Sequence, residues 1–345
     1  MVEVSHILGC FKNGPKNLRK ILLIDADSKI PNLSLMKLSQ YYKQQGCVID
    51  LLKLNLPYYP NKKKYHRSIS NLGYEKIFCS VIFEGNLPFI HGDNIVFGGT
   101  GVDLVTELPS EVNQCEPDYS IYPENDTSYG FLTRGCIRKC KFCKVPEKEG
   151  YIRQVHSPSE IIRHKKVKFM DNNILALPTH NEILQELVML KVRCEFNQGL
   201  DIRLLTEENS KLLSQLNYSG NYTFAFDDIK YENVINNQLP LLSWRKRDQI
   251  RFFCYVHPDM PIEDTLYRLK WMRNHECIPY VMRDIACWSD DRHHFYTDLA
   301  AWANQIRIWK TMPFETYVYK RHLTKKRQTI NKQVADVYNS AAQHL

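Results

Sequence analysis

The sequence predicts an α/β protein made of two successive series of strands and helices, and three observations predict it. Residues 20–105 alternate short apolar runs with amphipathic stretches, the pattern of a parallel sheet flanked by helices. Residues 107–125 carry Pro109, Pro117 and Pro123 and little periodicity, which reads as a linker. A second series of six βα units follows, and beyond Asp290 the pattern turns helical. The expected layout is a doubly wound, Rossmann-like domain over 1–125, a partial (β/α)6 barrel of the TIM type over 126–290, and a basic helical region over 291–345.

Each element has its own signal. Ile21 to Asp25 is a buried strand. Leu35, Leu38, Tyr41 and Tyr42 recur at helical spacing between Asn32 and Gln44, and Gly46 stops that helix. Val48 to Leu54, Lys76 to Phe83 and Asn94 to Gly99 supply three more strands. In such sheets ligands bind beyond the carboxyl ends of the strands, which here are Asp25 to Lys29 and the Gly98-Gly99-Thr100-Gly101 turn. Those glycines permit close approach of a ligand, or simply a tight turn. The strands of the second series are Gly130 to Thr133, Val167 to Met170, Arg193 to Asn197, Tyr222 to Phe226, Ile250 to Tyr255 and Ile278 to Met282. Phe295 to Trp309 reads as one amphipathic helix, and Thr324 to Ala342 as a basic, polar one.

Composition narrows the function classes. The chain has 345 residues, 43% hydrophobic and 24% charged, enough to bury a substantial core. Its longest apolar runs are strand-length, so no membrane span and no membrane partner is expected. The N-terminus lacks the pattern of a signal peptide, and a cytoplasmic location follows as the expectation. Of eleven cysteines, eight are scattered singly and read as buried apolar residues. The net charge is +8, and from Ala303 onward eight Lys and Arg face only Glu315 and Asp336, which suits an anionic partner.

The remaining three cysteines, Cys136, Cys140 and Cys143, form C-x3-C-x2-C in TRGCIRKCKFCKVPEKEG, directly after a predicted strand. Three thiolates on one loop can wrap one face of a metal centre but leave the fourth position open. A structural zinc site needs that fourth ligand, and the nearest histidine, His156, lies thirteen residues beyond Cys143. Spacing alone leaves a cluster and zinc both open. Arg134, Arg138, Lys139, Lys141, Lys144 and Lys148 form a basic rim, which either offsets a cluster's charge and solvates the loop or meets a phosphate-bearing substrate.

The motif, with the aromatic Phe142 just before its third cysteine and a βα series around it, resembles the radical S-adenosylmethionine (SAM) superfamily over roughly residues 128–286. The resemblance implies a [4Fe-4S] cluster on Cys136, Cys140 and Cys143, whose open iron chelates the amino and carboxylate groups of SAM. Reductive cleavage then gives a 5'-deoxyadenosyl radical that takes a hydrogen atom from the substrate; an electron donor is implied, and the hard chemistry belongs to the cofactor. Phe142 matches the residue near the adenine. Asp171-Asn172-Asn173 stands where the family has a Gly-Gly-Glu-like motif for the SAM amino group; the glycines are missing, and Asp171 is favoured because an ammonium wants a carboxylate. Arg203 is a candidate for the SAM carboxylate, placed with Asp201 on one face of an extended chain; the other reading is an internal Asp–Arg pair. Asp227 or Asp228 is a candidate for the ribose hydroxyls, the other for a helix cap. His257 is a further candidate at the barrel mouth.

Two subclasses are weighed. A doubly wound domain ahead of a radical SAM barrel resembles the class with an N-terminal cobalamin-binding domain, yet DADSKIPN (Asp25 to Asn32) lacks the D-x-H-x-x-G pattern that supplies an axial histidine. Cobalamin is therefore bound without that ligand or lost, and loss is favoured. Cys10, Cys47 and Cys79 suggest the methylthiotransferases, but their places relative to the strands argue against it. The expected activity is a radical SAM reaction on RNA or a nucleotide-like molecule, the rivals being a peptide- or protein-modifying enzyme and a non-enzymatic, zinc-stabilised nucleic-acid-binding module.

Overall fold

The computed structural model describes residues 19–57, 65–70 and 73–321. The chain is mixed α/β with parallel sheets, and it divides into two compact units between Tyr129 and Gly130.

In the first unit, β1 (Lys20–Asp25), β2 (Val48–Lys53), β3 (Lys76–Ser80) and β4 (Ile95–Gly98) form one sheet in the order β2-β1-β3-β4, with every neighbouring pair parallel. Ile24 of the central strand faces Leu52 on one side and Cys79 on the other. Alternation sends its side chains to two separate cores: Leu22 and Ile24 pack with Ile77 and Cys79, whereas Ile21 and Leu23 pack under Leu35, Leu38 and Tyr42 of α1 (Leu33–Gln44). Both faces are therefore covered, as an all-parallel sheet requires, and each such buried aliphatic side chain contributes about 1.5–3 kcal/mol. The Asn32 side chain caps α1 by accepting from the Leu35 N–H at 3.2 Å, and Gly46 leaves the helix at φ +77°. Residues 107–125, expected as a linker, pack on α1 instead: Val112 joins its core, and Asp118 pairs with Lys43 at 2.7 Å.

Two three-stranded sheets follow along the chain. In one, β5 (Thr127–Gly130), β6 (Lys166–Phe169) and β7 (Arg193–Phe196) lie in the order β7-β6-β5; in the other, β8 (Tyr222–Ala225), β9 (Ile250–Val256) and β10 (Ile278–Arg283) follow chain order. Helices α2 (His180–Leu190), α3 (Glu207–Gln215), α4 (Glu232–Gln238) and α5 (Ile262–Asn274) separate successive strands from β6 onward. A continuous six-stranded sheet is not formed among the described residues. Between β7 and β8 the ladder thins to a bridge from Cys194 to Tyr218 and a bond from the Leu200 N–H to the Thr223 carbonyl at 2.7 Å, because the chain turns away at Gly199, φ +85°.

Beyond β10 come α6 (His293–Ala303), α7 (Ile306–Thr311) and α8 (Phe314–Arg321). The single helix expected from Phe295 to Trp309 is broken at Asn304, whose side-chain amide accepts from the Val281 N–H at 2.7 Å and donates to the Val281 carbonyl at 3.0 Å. That amide pins the chain to β10. Phe295, Leu299, Trp302, Trp309 and Phe314 enter the same core as Phe224, Phe252 and Trp271, so residues 293–321 build the second unit. The basic stretch from Thr324 lies outside the described residues. No described helix is long and apolar enough to cross a membrane.

Candidate cofactor site

The cysteine loop hangs from a two-residue antiparallel ladder, Thr133–Arg134 against Arg153–Gln154. Gly135 is obligatory there: its φ is +85°, and a Cβ would lie 2.3 Å from the Tyr151 carbonyl oxygen. Glu149 ties the loop together, accepting from the Gly135 N–H at 2.9 Å and from Asn172 Nδ2 at 2.9 Å, and pairing with Arg134 at 3.0 Å. The Cys136 N–H reaches the Gly150 carbonyl at 3.2 Å and the Cys143 N–H the Cys140 carbonyl at 3.0 Å. All three thiols are half-buried. Burial pushes the Cys140 and Cys143 thiols above their ordinary values. Cys136 Sγ accepts the Arg138 N–H at 3.3 Å and Asn173 Nδ2 at 3.6 Å.

Beside this loop lies a cavity of about 810 Å³, walled by Cys140, Phe142, Arg203, Asp227, Tyr255 and His257 among others. Its volume falls in the upper part of the range for small-molecule sites. Phe142 lies face to face with Tyr255, ring centroids 3.9 Å apart and planes 16° from parallel. Part of the wall comes from the carboxyl ends of strands: Asp227 follows β8, Tyr255 lies near the end of β9, and His257 follows it.

The predicted residues fare differently. Asp171 is 1% exposed, and its carboxylate accepts the Leu132 and Thr133 N–H groups and the Thr133 hydroxyl. Burial nevertheless raises its pKa to about 6. Asn172 binds Glu149. Asn173 is 3% exposed, and its Oδ1 is buried without a hydrogen-bond partner. Asp201 and Arg203 do not share the face of an extended chain. Asp201 instead caps the short helical turn Ile202–Leu204, and its carboxylate takes Arg203 through two N–H groups at 2.6 and 3.0 Å and Arg138 Nε at 2.8 Å. The internal pair is thus formed, while Arg203 lies over the Tyr231 ring and still faces the cavity. Asp227 accepts the Tyr255 N–H at 2.8 Å, and burial pushes its carboxyl up. Asp228 caps the turn Ile229–Tyr231 and pairs with Lys230 at 2.5 Å. His257 Nδ1 accepts the Asp259 N–H at 3.1 Å.

Three residues of the basic rim are engaged in ion pairs, Arg134 by Glu149, Arg138 by Asp201 and Lys144 by Glu147. Lys139 and Lys141 are exposed on the cavity wall. Sequence reasoning missed four contributors. Tyr255 donates to Asp284 at 2.6 Å, and Glu149 organises the loop. Arg268, fully buried, donates to the Phe226 and Tyr255 carbonyls at 2.9 and 3.1 Å, and so clamps the ends of β8 and β9. The signal for Arg268 is an arginine between Leu266 and Leu269 on an amphipathic helix; Glu149, Tyr255 and Asp284 carry none.

No three His, Cys, Asp or Glu side chains among the described residues are gathered to hold a metal ion. Three thiols on one loop are the ligand type that an iron–sulfur cluster takes, and Cys136 carries two N–H donors. At the strand ends of the first sheet, where cobalamin would bind, both aspartates are engaged by their own chain. Asp25 accepts from Ser28 and Tyr122; Asp27 accepts the Ile82 and Phe83 N–H groups and Asn86 Nδ2 at 2.9, 3.1 and 2.7 Å. In the expected ligand-facing turn, a Cβ on Gly99 would lie 2.4 Å from the Val81 oxygen, and one on Gly101 2.7 Å from the Phe83 carbonyl carbon. The close approach those glycines permit is to their own chain. Cys47 and Cys79 are buried in different cores, and burial pushes the Cys79 thiol up to about 12; Cys10 lies outside the described residues. No protein-family model matches the chain, and no curated protein matches it.

Proposed function

We propose that the chain is a radical SAM enzyme whose [4Fe-4S] cluster is held by Cys136, Cys140 and Cys143. The observation that carries this reading is one juxtaposition: a three-thiol loop with N–H donors on Cys136 forms part of the wall of a cavity bordered by strand ends. A bound cluster, reduced by an external donor, would supply one electron to the SAM sulfonium, breaking its C5'–S bond to give methionine and a 5'-deoxyadenosyl radical. On this reading the two sheets, with strands connected through helices, are the two halves of a partial barrel interrupted at Gly199.

The chain's own residues have the following parts. Phe142 and Tyr255 offer an aromatic surface for the adenine. Asp227 is the acceptor for ribose hydroxyls, held by the Tyr255 N–H. Arg203 presents its guanidinium to the carboxylate of SAM while Asp201 fixes its orientation. Of the trio 171–173, Asp171 has both oxygens engaged by its own chain, and Asn173 is buried against Cys136. Lys139 and Lys141 would meet an anionic substrate, with RNA or a nucleotide-like molecule the first choice.

The test is anaerobic iron–sulfur reconstitution followed by assay for 5'-deoxyadenosine with a strong reductant. The wild type is expected to show cluster absorbance and deoxyadenosine, and Cys140→Ala to lose both. A Cys140→Ala protein that keeps both defeats the assignment.

A further inference from the structure

The Asn173 side chain is oriented at a cost. It is 3% exposed, its Nδ2 lies 3.6 Å from Cys136 Sγ and 3.4 Å from Asp201 Oδ2, and its Oδ1 is buried with no partner. Turning the amide over would set its oxygen against the Asp201 carboxylate, two acceptors with no proton between them. Asp201 therefore fixes which end faces the cysteine. Asp201 is itself immobilised by Arg138 and by the two N–H groups of Arg203. The Arg138 backbone N–H reaches the same sulfur from the loop side at 3.3 Å, so Cys136 has two donors. Cys143 takes a backbone N–H from Val145, whereas Cys136 adds the Asn173 side-chain donor to its backbone one.

We infer that Asn173, locked by Asp201, is a positioning residue that sets the reduction potential of the metal centre through an N–H···S bond to Cys136. The inference rests on the cluster reading above. Donors aimed at a ligating sulfur stabilise the more negative, reduced state, and hydrogen bonding to the sulfurs is one of the terms that set an iron–sulfur potential. A residue that only filled space would leave that potential unmoved.

The experiment compares the reconstituted wild type with Asn173→Leu, which keeps the shape and removes the donor. Iron and sulfide content, the EPR signal of the reduced cluster and its midpoint potential are measured. The expected result is wild-type iron and sulfide, an altered EPR signal and a more negative midpoint in Asn173→Leu. Equal potentials and signals at full cluster occupancy overturn the inference while leaving the cluster reading intact. An iron-free wild type overturns both. Pulsed EPR on wild type carrying side-chain ¹⁵N-asparagine supplies a measurement that needs no variant. A resolved ¹⁵N coupling to the reduced cluster is expected, and its absence overturns the inference even if Asn173→Leu takes up no iron.

Discussion

The carboxyl ends of the first sheet and of the strands β8 and β9 begin from the same physics and finish differently. In both units parallel strands end beside aspartates, at the place where α/β proteins bind ligands. In the first unit every such group is spent internally: Asp27 takes three donors from residues 82–86, and Gly99 and Gly101 are pressed onto Val81 and Phe83. In the second, Asp227 is held by one backbone donor and borders a cavity of about 810 Å³. A strand end supplies position, and groups left unspent supply function.

The sharpest way to break this contrast is Asp27→Ala. It strands the Ile82 and Phe83 N–H groups and the Asn86 amide, and each buried donor left unsatisfied costs about 1–3 kcal/mol. The expected loss is about 3 kcal/mol or more in the first unit, read as a lower urea midpoint of its transition. Iron uptake by the cysteine loop should be unchanged. Loss of iron uptake in a variant whose second unit remains folded would show that the Asp27 carboxylate serves more than its own fold.

A matched pair of glycine substitutions sharpens the contrast further. Gly99 and Gly135 both have positive φ, +101° and +85°, and both lie where a Cβ meets a carbonyl oxygen, at 2.4 and 2.3 Å. Strain of this kind costs about 1–3 kcal/mol. Gly99→Ala should lower stability and spare iron content per folded chain. Gly135→Ala should cut iron content, because it displaces the strand that delivers Cys136. Equal iron content in the two variants would mean that the loop tolerates a shift at its base.

The contrast also marks what the sequence made legible. Strands such as Ile21 to Asp25 and Ile250 to Tyr255 were readable because burial on both faces, or alternation, leaves a local imprint on residue order. The cysteine loop was readable because its spacing is local. The break at Asn304 was not, since it depends on one amide finding Val281, 23 residues back. Nor was the fate of Asp25 and Asp27, whose donors come from Tyr122 and from residues 82–86. Asp201 and Arg203 show the limit within a single segment: their types were informative, but a cap turned an expected strand face into a bidentate pair. What the sequence hides is which neighbour consumes a polar group.

Asp171 gives the smallest and most quantitative test of that point. Its carboxylate is engaged by Leu132 and Thr133, yet desolvation outweighs those donors and lifts its pKa to about 6 from the usual 3.8. The folded state therefore binds a proton that the unfolded chain has released between these two values. With more protons on the folded state, stability must fall as pH rises through this window. The contribution is fully present below about pH 3.8 and lost above about pH 6. Between pH 5 and 6 the expected loss from this group is about 1 kcal/mol. Urea unfolding at the two pH values should show that slope in the wild type and lose it in Asp171→Asn, which does not titrate. The comparison is of slopes, so any constant penalty from the amide cancels. An unchanged slope would mean that Asp171 is ionised throughout, and that its carboxylate remains available as an anion at the cysteine loop.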